Sequence, residues 1–212
     1  MYSEELIKRR TEEIVNELKR EDVCGTDKFV RKLDRTVNTQ DYLDILVEGR
    51  FAAVLARNGF LQIQMEPFNK GPDIKASYNG YTIYFEVTRR RPMAADRELG
   101  KTKGSWVVSP DRTDNVIGKI TEKLGQLQRG ELNIIVIWSN TVRLGVPEVQ
   151  EAFKYIQGEI NQNTEKYEEL SSVLLIQDEK VDLTMPKESY LFPNDRALNQ
   201  LPICLAKKLK SL

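Results

Sequence analysis

The sequence predicts an α/β fold with a mixed central β-sheet flanked by helices, and three observations carry that expectation. Asn79-Gly80 sits between two stretches of strand-like residues and is a strong signal for a two-residue hairpin turn, since both turn positions need positive φ. Asn133 to Trp138 and Ser172 to Ile176 are continuous apolar runs of the kind that form central strands covered on both faces. Stretches of helical periodicity precede the hairpin, separate it from the first apolar run, and separate the two runs. The order is therefore helix, hairpin strands, helix, strand, helix, strand, and the last strand–helix–strand unit implies a parallel crossover pair.

Taken in order, residues 3–20 read as a charged helix with a thin apolar line, Ile7, Ile14 and Leu18. From Asp41 to Asn58, Ile45, Ala52 and Leu55 recur at helical spacing and Asn58-Gly59 gives a C-cap signal. The next helix is expected from about Asn115 to Arg129, with Asp114 as N-cap and Val116, Ile120, Leu124 and Leu127 as its buried stripe. Residues 147–168 read as a further helix, and the apolar residues of the tail, from Leu191 to Leu212, require docking on the core. A chain of 212 residues with 40% hydrophobic content supports one well-covered core. The expected organisation is an N-terminal helical arm (1–40), a core (41–178) and a packed C-terminal extension (179–212).

The hairpin register carries chemical information. Counting outward from the turn, Tyr78 faces Tyr81, Ser77 faces Thr82, and Asp73 comes opposite Glu86. Alternation puts Asp73, Lys75, Thr82, Tyr84, Glu86 and Thr88 on one face, with Tyr81, Ile83, Phe85 and Val87 on the other, core-facing side. Opposed residues have Cα atoms roughly 4.5–5.5 Å apart, and two carboxylates there repel by on the order of a few kcal/mol at intermediate dielectric. A hard divalent cation offsets that repulsion, and Mg²⁺ is commonly held by one or two carboxylates plus waters and phosphate oxygens. A solvated hairpin screened by Lys75 or Arg89 is the alternative.

Two flanking helices carry further polar groups within or beside their apolar stripes; taken alone, Glu48 reads as an edge residue that reaches water or pairs with Arg50, and Lys123 and Gln126 read as an ordinary exposed face. Glu48 falls at i+3 from Ile45 within the apolar stripe of its helix, beside the small residues Gly49, Ala52, Ala53 and Ala56 that allow a close approach to a sheet. Lys119, Lys123 and Gln126 follow at i, i+4 and i+7, projecting from one face beside the later helix's buried stripe.

Gly71-Pro72-Asp73, a gap of twelve residues and Glu86-Val87-Thr88, preceded by a helix with an inward Glu and followed by a helix and a buried strand, resembles the PD-(D/E)xK nuclease superfamily. The resemblance covers roughly residues 41–140, with an extension through the strand near residue 176. It implies a restriction-endonuclease-like core and a Mg²⁺-dependent site, with Mn²⁺ as a substitute. Asp73, Glu86 and the Val87 carbonyl would hold the metal, and Glu48 would hold a second metal or a metal-bound water. The family's usual lysine two residues after the Glu is Thr88 in this sequence. Some members that lack it supply a lysine from the following helix, which implicates Lys123 and then Lys119, with Gln126 assisting; Lys75, on the same hairpin face but displaced to the Tyr84 level, ranks third. The implied activity is phosphodiester hydrolysis, in DNA on family analogy.

Composition bounds the remaining classes. The chain contains no His and its two cysteines, Cys24 and Cys204, lie at opposite ends, which removes most zinc chemistry and the His-dependent hydrolases. The expected setting is the reducing cytoplasm. The charged N-terminus does not resemble a signal peptide, and no apolar run reaches membrane-spanning length. With a formal net charge of zero, nucleic-acid contact needs a local cluster. Between Arg89 and Arg112, seven basic residues (Arg89, Arg90, Arg91, Arg97, Lys101, Lys103, Arg112) against three acids (Asp96, Glu98, Asp111) leave a charge of +4. Arg89, Arg90, Arg91, Lys101 and Lys103 are thus the expected phosphate contacts. Two other classes stay open: a catalytically inactive DNA-binding or regulatory module of the same fold, and an assembly protein that dimerises through the N-terminal helix or the tail.

Overall fold

The computed structural model describes residues 4–68, 70–91, 110–139, 146–178 and 188–212. Within them a six-stranded mixed sheet runs in strict sequence order, β1 (Leu61–Met65), β2 (Ile74–Tyr78), β3 (Tyr81–Arg89), β4 (Leu132–Ser139), β5 (Ser172–Gln177) and β6 (Glu188–Pro193). The first three strands form an antiparallel meander, β3, β4 and β5 are parallel, and β6 closes the far edge antiparallel to β5. The α/β class and the parallel β4–β5 pair follow the sequence-based expectation, whereas the parallel β3–β4 pair and strand β1 have no counterpart in it. Nor does strand β6. Its residues are all partly exposed, as on a sheet edge, and they lack the unbroken apolar run that marks β4 and β5.

Helices cover both faces, and residues alternating along β4 belong to opposite cores. Ile134, Val136 and Trp138 pack with α1 (Glu4–Arg20), α2 (Thr26–Asp34), α3 (Thr39–Arg57) and the C-terminal helix Ile203–Lys210. Ile135 and Ile137 pack with α4 (Pro110–Lys123) and α5 (Val146–Gln162). A four-residue helix, α6 (Thr164–Tyr167), continues α5 after a break at Asn163, so residues 147–168 form two helices. The C-terminal helix, α7, buries Leu205 and Leu209, which is the docking the tail's apolar residues required.

The arm is built into the same core. Ile14 and Leu18 of α1 are buried with Phe29 and Leu33 of α2, and they share one apolar cluster with α3. Helix α2 had no counterpart in the sequence reading. Gly25 introduces it in the left-handed region at φ 86°, where a Cβ would lie 2.4 Å from the Met65 carbonyl oxygen. Helix α3 is capped at Asn38, whose Oδ1 accepts from the amides of Gln40 and Asp41.

Candidate active site at the end of the hairpin

The hairpin has the register that its turn dictates. Asn79 and Gly80 both have positive φ, 49° and 83°, and the pairs run Tyr78↔Tyr81, Ser77↔Thr82, Ala76↔Ile83, Lys75↔Tyr84 and Ile74↔Phe85. Pairing stops there, although β3 continues to Arg89. Asp73 therefore lies where the ladder ends, and its side chain replaces the missing strand: Oδ2 accepts from the Val87 amide at 2.8 Å. Its carboxyl also hydrogen-bonds Glu86. The two acids are neighbours, and Glu86 is completely buried.

Glu86 receives two donors from the segment after α4. Lys123 Nζ donates to Oε1 at 2.6 Å, and the Gln126 amide, assigned with its nitrogen toward the acid because that orientation alone satisfies both groups, donates to Oε1 at 2.6 Å and Oε2 at 3.2 Å. The expected helix from Asn115 to Arg129 instead starts at Pro110, ends at Lys123 and tightens into a 3₁₀ turn over Leu124–Gln126. With three residues per turn, positions 123 and 126 eclipse each other and aim at one acceptor. The helix cannot run on, because the Gln128 amide donates to Asn133 Oδ1 at the start of β4. Lys119 is not part of this constellation; it pairs with Glu122 at 2.9 Å. Lys75 lies over the Tyr84 ring, 6.0 Å from its centroid.

From the opposite layer α3 delivers Glu48, buried as its place in the apolar stripe requires. The neighbouring Gly49 does not serve close approach to the sheet. Its missing side chain admits the Phe29 ring of α2, since a Cβ at residue 49 would stand 2.3 Å from Phe29 Cζ. That contact seats Lys32, one turn beyond Phe29, beside residue 48. Lys32 Nζ lies 2.9 Å from Glu48 Oε2 and 2.9 Å from Glu66 Oε1. Sequence reasoning found neither Lys32 nor Glu66. The apolar spacing of Phe29, Val30 and Leu33 hints at a helix, but nothing local ties it to Glu48.

Burial dominates the electrostatics. It pushes the Glu48 carboxyl up to about 8, aided by the Asp73 charge and opposed by Lys32. Burial and the same Asp73 charge push Glu86 up to about 8 against the pull of Lys123. Asp73 is also raised by burial, although the Val87 amide and the charges of Lys123 and Lys32 pull it down. Burial works to lower both lysines, but the carboxylates outweigh it and hold Lys32 and Lys123 above the ordinary lysine value. Burial thus holds charges of both signs close together.

A cleft of about 730 Å³ opens on this cluster, lined by Lys28, Lys32, Glu66, Phe68, Asp73 and Gln126 among others. Among the described residues, no three or more His, Cys, Asp or Glu side chains gather into a metal-binding group. The oxygen donors of Asp73 and Glu86 nevertheless suit a hard cation that keeps waters and phosphate oxygens as its other ligands. No helix among the described residues is long and apolar enough to cross a membrane.

The arginine run corrects the expected phosphate contacts. Arg89 and Arg90 are buried, 3% and 0% exposed, so neither lies on a surface that a nucleic-acid backbone could reach. Arg89 bonds Asp44 Oδ1 at 2.7 Å and Gln40 Oε1 at 2.7 Å, and the Arg90 amide donates to the Trp138 carbonyl. The sequence showed three basic residues in a row but not the acids of α3 packed opposite Arg89 and Arg91. Arg91 is the exposed member and pairs with Asp41 and Asp44. Lys101 and Lys103 lie outside the described residues. No family model, curated protein or solved structure matches the chain, so its own side chains carry the functional reading.

Proposed function

We propose that this chain is a Mg²⁺-dependent nuclease that hydrolyses phosphodiester bonds, with DNA as the substrate that the PD-(D/E)xK resemblance implies. The observation that carries this reading is the meeting of Asp73, Glu86, Lys123 and Gln126, drawn from the end of a hairpin and the end of a helix. A stack of buried acids held only for stability would be a poor solution, because each buried charge must be desolvated.

Asp73 and Glu86 would hold the ion, joined by the Val87 carbonyl. When bound, the ion would lower the pKa of a water and offset the negative charge that builds on the phosphate. On this reading Lys123, tethered to Glu86 at 2.6 Å, supplies the family's lysine function. Its ammonium would orient the attacking water and stabilise phosphate oxygens, while the Gln126 amide fixes the other side of Glu86. Thr88 is buried at 8% exposure, so a lysine grafted there would have to extend into the space that Lys123 already serves. The cleft-lining Lys28 and Lys70 replace the buried arginines as phosphate contacts on this reading.

The test is cleavage of plasmid and single-stranded DNA with Mg²⁺ or Mn²⁺. Asp73→Ala and Glu86→Ala should abolish cutting and weaken metal binding in calorimetry. Lys123→Ala should lose roughly 10²–10⁴-fold in rate, the range of a positioned proton-transfer or charge-stabilising group, while retaining metal affinity. Wild-type rates in Lys123→Ala would refute its role. The absence of a lysine at Thr88 favours one second reading, a DNA-binding module without turnover. Tight, metal-independent DNA binding with no cleavage in either metal would select it.

A further inference from the structure

Lys32 takes no part in the chemistry above, yet two carboxylates tether it at 2.9 Å each. Packing imposes that position. Phe29 seats α2 on α3 through the gap at Gly49, where any side chain would collide with the ring, and Lys32 follows Phe29 by one helical turn on the same face. The ammonium is consequently delivered to Glu48 by a core contact.

Formal charges indicate what it does there. With all four carboxyls deprotonated, the state a bound cation would require, Glu48, Glu66, Asp73 and Glu86 contribute four negative charges, and Lys32 and Lys123 contribute two positive ones. The remainder is two negative charges, which one divalent cation would balance. Without Lys32 three would remain, and Glu48 and Glu66 would face each other uncompensated.

We infer that Lys32 is a built-in cation occupying the place of a second divalent ion beside Glu48 and Glu66, so that the site takes up one ion rather than two. This rests on the metal-dependent reading for the ion at Asp73 and Glu86, and it replaces the expectation that Glu48 holds a second metal. An ammonium of three donors can satisfy two carboxylates without the costly dehydration that Mg²⁺ demands. A lysine fixed by the fold keeps that charge at every stage of turnover.

The experiment is calorimetric titration of Mn²⁺ into the metal-free full chain, comparing wild type with Lys32→Met and Lys32→Arg. Lys32→Met should bind one more ion per chain than wild type, and Lys32→Arg should match wild type. Adding Glu48→Gln to Lys32→Met should remove the extra ion. Equal counts in wild type and Lys32→Met overturn the inference, as does a gain in Lys32→Arg. The wild-type count is read separately. A count of zero there removes the metal-dependent nuclease reading, while a gain of one ion in Lys32→Met still supports the role of Lys32. If Lys32→Met is unfolded without metal, its circular dichroism is followed as Mn²⁺ is added. Refolding with one ion more than wild type supports the inference, and failure to refold at saturating Mn²⁺ overturns it.

Discussion

At the scale of single residues, the site holds carboxyl groups where water cannot fully reach them, and pH should report it. Glu48 and Glu86 move from 4.5 to about 8 on folding, so the folded chain retains protons that the unfolded chain has released. Between those values the folded state binds more protons, and stability must fall as pH rises from about 4.5 through about 8. Urea melts in chelator should therefore show a less stable protein at pH 8.5 than at pH 5. Glu48→Gln/Glu86→Gln, neutral at both pH values, should flatten that dependence. An unchanged slope in the double variant would place the titration elsewhere. The opposite sign, stability rising with pH, would mean the acids are ionised and fully compensated by Lys32 and Lys123.

Among the elements, the α2–α3 contact is the most exacting. Phe29 fills the space over Gly49 completely, and a methyl group at 2.3 Å from the ring cannot be accommodated without moving one helix. Gly49→Ala is expected to cost about 1–3 kcal/mol in urea unfolding, the usual penalty of overpacking, outweighing the gain in helix propensity. The same substitution should shift Lys32 away from Glu48. Phe29→Leu in the Gly49→Ala background should recover part of the loss, because the smaller side chain makes room. A neutral or stabilising Gly49→Ala would show that the two helices slide freely. The hairpin is governed differently: its turn alone sets the register that brings Asp73 to Glu86.

Across the whole molecule, a buried ion pair joins residues 128 positions apart. Arg50 of α3 pairs with Asp178 just after β5, both about 5% exposed, and the Arg50 guanidinium lies 4.7 Å from the centre of the Trp138 ring on β4. This contact fastens the helix that carries Glu48 to the central strands. Asp178→Ala leaves a buried guanidinium short of its acid and should cost about 3–5 kcal/mol. Arg50→Met/Asp178→Leu, which removes both charges, should cost clearly less in the same melts. Equal losses would indicate that packing volume rather than charge holds the pair.

The sequence by itself determined what depends on near neighbours. Asn79-Gly80 fixed the hairpin register because only a few residues accept positive φ, and that register opposed Asp73 to Glu86. Continuous apolar runs identified β4 and β5, and spacing placed Glu48 on an inward face. The tertiary structure decided whatever joins distant segments. Strand β6 is a strand only because β5 offers it an edge, and the helical run stops short of Arg129 because Asn133 of β4 takes the Gln128 amide. Arg89 became an interior residue when α3 packed over it, and Arg90 is buried as well. Lys32 and Glu66 entered the site through a contact between two helices, at a glycine whose vacancy no local pattern reveals. Backbone and turn preferences act over a few residues, whereas burial and charge pairing act across the folded interior. The first can be read along the chain, and the second exist only once the layers have closed.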